Sequence, residues 1–121
     1  MPRVSLRLAF DGEGAIGPGK VRLLELIGET GSISAAGREM AMSYRRAWNL
    51  VHELNTMFEE PLVEARPGGS NGGGASLTVA GTDVIRRYRA IEASVTTSAR
   101  THLTALESML VDPKRKRRPK P

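Results

Sequence analysis

The chain has 121 residues, 40% of them hydrophobic, enough for one compact domain with an apolar core and an added long element. It has no cysteine, which excludes disulfide frameworks, thiolate zinc sites, iron–sulfur clusters and cysteine nucleophiles. The formal net charge of +5 sits at one end: the last ten residues, DPKRKRRPKP, hold six of the 18 basic side chains and one of the 13 acidic ones, leaving twelve of each sign elsewhere. The alkaline character therefore describes the tail and says little about the folded body.

Residues 3–10 (RVSLRLAF) alternate, with Val4, Leu6, Leu8 and Phe10 on one side and Arg3, Ser5 and Arg7 on the other. A period of two predicts a half-buried strand. This apolar run is too short and too alternating for a signal peptide, and no stretch nears the roughly 20 apolar residues of a membrane helix. A cytoplasmic location without membrane contact is expected. Asp11-Gly12 signals a turn and Ala15-Ile16 a short return strand, a hairpin that has to lean on a helix to be stable. Gly17-Pro18-Gly19 then opens a helix through about Glu29, with Pro18 in the first turn, where its missing N–H costs nothing. Val21, Leu24 and Ile27 form its stripe, widened by Leu23 and Leu26, and Gly31 is placed as a C-terminal glycine.

Ser32 or Ser34 caps a short second helix to about Met40, whose Ala35, Ala36 and Gly37 allow a neighbour to approach closely. Ala41-Met42 make a tight connection, with Met42 locking the two helices together and Ala41 where a left-handed residue, usually glycine, is common. Ser43 is a fresh cap for a third helix from Tyr44 to about Phe58, with Ala47, Leu50, Val51, Leu54, Met57 and Phe58 at helical spacing. Pro61 closes it. Residues 62–65 and 75–77 read as two short strands around the flexible loop PGGSNGGG (67–74). Thr78 caps a last helix, with Gly81 awkward in its first turn. Apolar positions recur at Val84, Tyr88, Ile91, Val95, Ala99, Leu103, Leu106 and Leu110, so one helix over 79–111 would extend roughly 50 Å. That exceeds what so small a body can cover, and a second copy of the chain is the economical partner. The tail from Pro113, with no apolar residue, is expected to be disordered.

The order strand–helix–helix–turn–helix–strand–loop–strand–helix is that of a winged helix-turn-helix. The third helix is polarised, with Arg45 and Arg46 at its start and Glu53, Glu59 and Glu60 towards its end. A recognition helix offers its N-terminal residues to base edges. Arg45 and Arg46 suit guanine or phosphate, Ser43, Tyr44 and Asn49 add hydrogen bonds, and the dipole favours phosphate near Ser43. Each also has a plainer assignment: the arginines as solvated surface, Ser43 as a cap alone, and Trp48 as a core residue rather than a base-stacking platform. Glycines between the strands let backbone approach the sugar–phosphate chain, and Arg66 supplies a charge at the wing base. The glycine loop lacks the Gly-Lys-Ser/Thr ending of a nucleotide-binding loop, His52 and His102 have no companion at ligand spacing, and no serine has a base and an orienting acid in pattern. Neither a catalytic site nor a metal or cofactor is expected. The tail can bind phosphate backbones without sequence preference.

The pieces GSIS-AA, MSYRRAW, LVE-R and GG-x-x-GGGA-x-LT closely resemble the N-terminal domain of molybdate-responsive regulators of the ModE type, over about residues 3 to 95. More distantly the chain looks like the DNA-binding domain of LysR-type regulators. The resemblance implies a homodimer, joined through the last helix at Tyr88, Ile91, Val95, Leu103, Leu106 and Leu110, that reads double-stranded DNA at an inverted-repeat operator. It places DNA contacts at Ser43, Tyr44, Arg45, Arg46 and Asn49, with the wing contributing Arg66, Gly68, Gly69, Gly72, Gly73 and Gly74. The C-terminal oxyanion-binding domains of that family have no counterpart after residue 95, so molybdate binding by this chain is not expected.

The expected fold is mainly α with small β: a winged helix-turn-helix with an N-terminal β-hairpin and a long C-terminal dimerisation helix. Its DNA-binding core spans 1–78, with the recognition helix over 43–59 and the wing over 62–77, followed by the helix 79–111 and the basic tail 112–121. Two other readings stay open: a winged-helix protein-interaction module, favoured by the neutral body, and an oxyanion (molybdate or tungstate)-responsive protein that does not read DNA by itself.

Overall fold

A computed structural model describes residues 2–66 and 74–112; the loop at 67–73 and the tail expected to be disordered from 113 lie outside the described residues. In chain order the elements are β1 (Leu8–Phe10), β2 (Gly14–Ile16), α1 (Pro18–Thr30), α2 (Ile33–Glu39), α3 (Tyr44–Met57), β3 (Val63–Arg66), β4 (Gly74–Leu77), α4 (Val79–Ser98) and α5 (Arg100–Ser108). Two antiparallel hairpins, β1–β2 and β3–β4, flank the helices. This is the mainly helical winged helix-turn-helix that the sequence predicts.

Helix α1 is the centre of the core. Its Val21, Leu23, Leu24, Leu26 and Ile27 are all buried, because the widened stripe read from the sequence is covered by α2, α3, α4 and β4. Pro18 occupies its first turn and Gly31, at φ 72°, ends it in the left-handed conformation. Ala36 from α2, Ala47, Val51 and Leu54 from α3, and Leu62, Val63 and Ala75 from the wing complete the cluster.

The helix-turn-helix angle depends on small residues. A Cβ on Gly37 would stand 2.9 Å from the Cβ of Ala47, so α2 and α3 touch almost backbone to backbone. Between them Ala41 takes φ 55°, the left-handed region that costs an alanine about 1–2 kcal/mol. The Met42 N–H donates to the Gly37 carbonyl at 3.0 Å, and the Met42 side chain packs against the core.

Three expectations change. The strand predicted over 3–10 pairs only at Leu8–Phe10. Upstream the chain stays alternately exposed and half-buried, but it lies on α4 instead of a partner strand. Val4 N–H reaches Thr96 Oγ1 at 3.4 Å, and the Leu6 carbonyl accepts from the Tyr88 hydroxyl at 2.6 Å. The hairpin does lean on a helix, with Phe10 edge-on to Phe58 at 6.3 Å. The helix predicted over 79–111 is two segments, interrupted at Ala99 (φ −90°, ψ 0°), although the Ala99 N–H still reaches Val95 and its carbonyl still accepts from Leu103. Tyr88, expected on a subunit interface, is 1% exposed and belongs to the subunit's own core, because the first turns of α4 lie across α1.

Candidate nucleic-acid interface

Helix α3 is held by its inner face and its two ends. Ala47, Val51 and Leu54 are buried, while the Ser43 hydroxyl accepts from the Arg46 N–H at 3.1 Å and starts the helix. At about 100° per residue, Arg45, Asn49 and His52 point directly away from the core. One edge carries Tyr44, Trp48 and Asn55; the other carries Arg46, Leu50 and Glu53. Ser43, Tyr44, Arg45, Arg46 and Asn49 are all exposed, so one capped helix end presents the sequence-predicted residues together.

The charges of this helix are unequal in their partners. Among the described residues, the side chains of Arg45 and Arg46 have no ion pair or hydrogen bond. Glu53, by contrast, is neutralised by Lys20 of α1 at 3.2 Å, and Lys20 also donates to the Ala15 carbonyl at 2.8 Å. The acidic end of α3 is thus partly quenched while its N-terminal end stays cationic. Arg46 lines a groove of about 480 Å³ with Arg7, Gly17, Met42, Leu50 and the Lys20–Glu53 pair, so Arg7 and Arg46 supply its uncompensated charge beside the helix.

The wing is fixed to this helix by a residue that sequence reasoning missed. The Asn55 side-chain oxygen accepts from the N–H groups of Leu62 (2.8 Å) and Val63 (3.1 Å), and its amide donates to the Val63 carbonyl (3.1 Å). A polar residue on the edge of an otherwise apolar stripe, six residues before a proline, was the available signal. The wing is also clamped to the end of α1, where the Ala75 N–H donates to the Gly31 carbonyl at 2.9 Å. Arg66 is exposed at the end of β3 with its guanidinium beside Gly31, and Gly74 opens β4. Gly68, Gly69, Gly72 and Gly73 lie outside the described residues.

Trp48 is not the core residue expected. It is 44% exposed, beside Tyr44 at 57%, and its indole N–H donates to the Tyr44 hydroxyl. The periodicity contains the correction, since Trp48 lies about 100° round from Ala47 and off the buried stripe.

Helix α4 leaves the core from a rigid root. The Thr78 hydroxyl accepts from the Gly81 N–H (2.9 Å) and donates to the Pro61 carbonyl (2.7 Å). Gly81, awkward on sequence grounds, is explained by contact: a Cβ there would lie 2.2 Å from the Leu62 carbonyl oxygen. One turn beyond Ile85, Arg89 grips Glu25 of α1 through two bonds of 3.0 Å and Glu92 through one of 2.7 Å. Hydrogen bonding from Arg89 holds the Glu25 carboxyl below its ordinary range, and the two carboxylates hold the guanidinium firmly protonated. Further out, Ile91 is exposed, Val95 and Leu103 are half-buried, and Leu106 and Leu110 are 58% and 72% exposed, next to Met109 at 76%.

A short helix, a tight turn, a capped outward-facing helix and a two-stranded wing define a winged helix-turn-helix protein. Within that class, the chain belongs to the bacterial regulatory helix-turn-helix proteins of the lysR family, whose model matches residues 19–82. It is 52% identical over 80 residues to the molybdenum-pterin-binding protein MopB of Rhodobacter capsulatus, covering 66% of this chain and 30% of that protein. To MopA of the same organism it is 44% identical over 92 residues, 76% of this chain and 35% of MopA. To the DNA-binding transcriptional dual regulator ModE of Escherichia coli (strain K12) it is 41% identical over 71 residues, 59% of this chain and 27% of that one. The resemblance to ModE regulators read from the motifs therefore holds, and the chain spans about a third of the length of these curated relatives. Among the described residues no helix is long and apolar enough to cross a membrane, and no group of three His, Cys, Asp or Glu could hold a metal ion.

Proposed function

We propose that the chain acts as a homodimeric, sequence-specific transcriptional regulator in the cytoplasm, setting one α3 from each subunit into the major groove at the two halves of an inverted repeat. The observation that carries this reading is the capped start of α3, where Arg45 and Arg46 stand exposed beside Asn49, without a side-chain partner among the described residues. Leaving two guanidinium groups unpaired is what a phosphate- or guanine-binding surface requires. Arg66 and the wing glycines would follow the adjacent backbone. The subunits would join along the outer side of α4 and α5 through Ile91, Val95, Leu103 and Leu106, with Leu110 just past the end of α5. The protein acts by binding, without a reaction of its own. Its fold elements are committed to this surface, and no molybdate binding is expected of these residues; micromolar binding by calorimetry would reverse that expectation.

Selection of bound sites from random DNA tests the reading. The expected product is a palindrome with half-site centres about one or two helical turns apart. Enrichment of no sequence by the purified chain would sink it. The neutral body favours one rival, a protein-interaction module, and truncation at Asp112 separates the two. A regulator without its tail keeps its preferred site and loses salt-sensitive nonspecific affinity. The rival module loses all DNA binding with the tail.

A further inference from the structure

The chain has five aromatic residues: one Trp, two Tyr and two Phe. Tyr88 is in the core, and Phe10, though 41% exposed, has a ring partner in Phe58 where the first hairpin meets α3. The other two, Tyr44 and Trp48, are spent on the surface of the first two turns of α3. Exposing two large rings four residues apart sacrifices burial that a core this poor in aromatics would use.

Their chemistry is narrow. The indole N–H is the only polar group of a tryptophan, and here it is already donated to the Tyr44 hydroxyl. That bond ties the two side chains together and leaves the indole with apolar surface alone to offer, while the Tyr44 hydroxyl, as the acceptor, keeps its own proton to donate. The pair lies on the same edge of the helix as Asn55, with Trp48 two turns before it, and Asn55 ties that edge to β3. It is adjacent in sequence to both Arg45 and Asn49, on the half of the helix that enters the groove. Phosphates need hydrogen-bond donors or charge, and duplex bases are stacked and closed to a ring unless they are forced apart. The feature of the major groove that matches an apolar surface is the C5-methyl of thymine.

We propose that the hydrogen-bonded Tyr44–Trp48 pair is a specificity-determining element whose indole ring recognises a thymine methyl at the wing-side edge of each half-site. The proposal rests on the assignment of α3 as the DNA-reading helix and adds to it a base preference that the arginines do not supply.

The test uses the full chain and the DNA sites it selects. Each thymine of the selected site is replaced in turn by deoxyuridine, which removes the methyl and leaves every hydrogen bond unchanged. One thymine per half-site should lose about fourfold in affinity on replacement, the value of one buried carbon. Trp48→Ala should bind the thymine site more weakly by at least that factor and no longer distinguish it from the uridine site. Trp48→Phe should keep the distinction. Because Trp48 is the sole tryptophan, acrylamide quenching of its fluorescence should fall when the selected site binds, a readout that a purely structural role would not move. Indifference of the wild-type chain to every replacement, an undiminished methyl effect in Trp48→Ala, or unchanged quenching would each overturn the proposal. If binding still depends on Arg45 and Arg46 in those cases, the regulator reading survives and only this inference fails. If no site is selected, both fail together.

Discussion

Helix α3 and the α4–α5 arm both expose large apolar side chains, yet the two surfaces differ in kind. On α3 the exposed apolar groups are the aromatic Tyr44 and Trp48, set among arginines that have no partner among the described residues. On the arm they are the aliphatic Ile91, Leu106, Met109, Leu110 and Val111. Rings edged by cationic groups suit the mixed polar and methyl surface of a DNA groove, whereas aliphatic side chains without charged neighbours of that kind suit another apolar protein surface. Exposed apolar area thus marks a binding surface without naming its partner; the polar groups beside it do that. The arginines follow the same division. Arg89 is fully engaged by Glu25 and Glu92 and serves the fold, while Arg45 and Arg46 are left for something outside it.

The comparison is broken most forcefully on the arm. Leu106→Glu with Leu110→Glu should raise the dimer dissociation constant at least about a hundredfold, because charge then faces a surface meant to be dry. Sedimentation equilibrium reads this directly, and a double variant that remains dimeric would remove the arm from the interface. On α3, replacing Arg45 and Arg46 together by alanine should weaken binding of the selected site by roughly a hundredfold while the melting temperature stays within a few degrees. An unchanged mobility shift would move the reading surface elsewhere.

Two smaller effects concern the strut between the surfaces. Gly81→Ala drives a methyl into the Leu62 backbone carbonyl and should cost about 2 kcal/mol, lowering the melting temperature by roughly 10 °C. A neutral result would mean that α4 can tilt freely on the wing. The Arg89–Glu25 pair should contribute least, about 0.5–1 kcal/mol, since both side chains are partly in water. Glu25 is more acidic folded than unfolded, so its contribution is complete above the ordinary carboxylate range and disappears as pH falls through the lowered value. The gap in melting temperature between wild type and Glu25→Gln should therefore be present at neutral pH and close below about pH 4. A gap that persists in acid would mean that the substitution acts through packing instead of charge.

Much of this molecule is legible in the chain. Period and caps fix most elements to within a residue or two, because Pro18, Ser43, Pro61 and Thr78 act locally and the apolar stripes follow helical or strand spacing over many residues. The start of α3 was legible for the same reason: a cap and two arginines at a helix end form a local pattern. Where reasoning failed, the competing force came from far along the chain. The extended segment before Leu8 turns to α4, some 80 to 90 residues away, and Tyr88 is claimed by that same contact. Trp48 was assigned by the habits of its residue type when its own position on the helix spoke against the core.

By itself, then, the sequence determined the order of elements, the cap of the reading helix, the polarity of its charge, the resemblance to ModE regulators and the confinement of net charge to the tail. It took folding to bring Lys20 to Glu53, to tie the wing to α3 through Asn55, to press the Leu62 carbonyl against Gly81, and to close the core with Tyr88. The physical reason is one of range. Caps, turns and periodicity are settled between residues a few positions apart, but which face of an amphipathic helix is covered, and by what, depends on partners that the chain brings together only on folding.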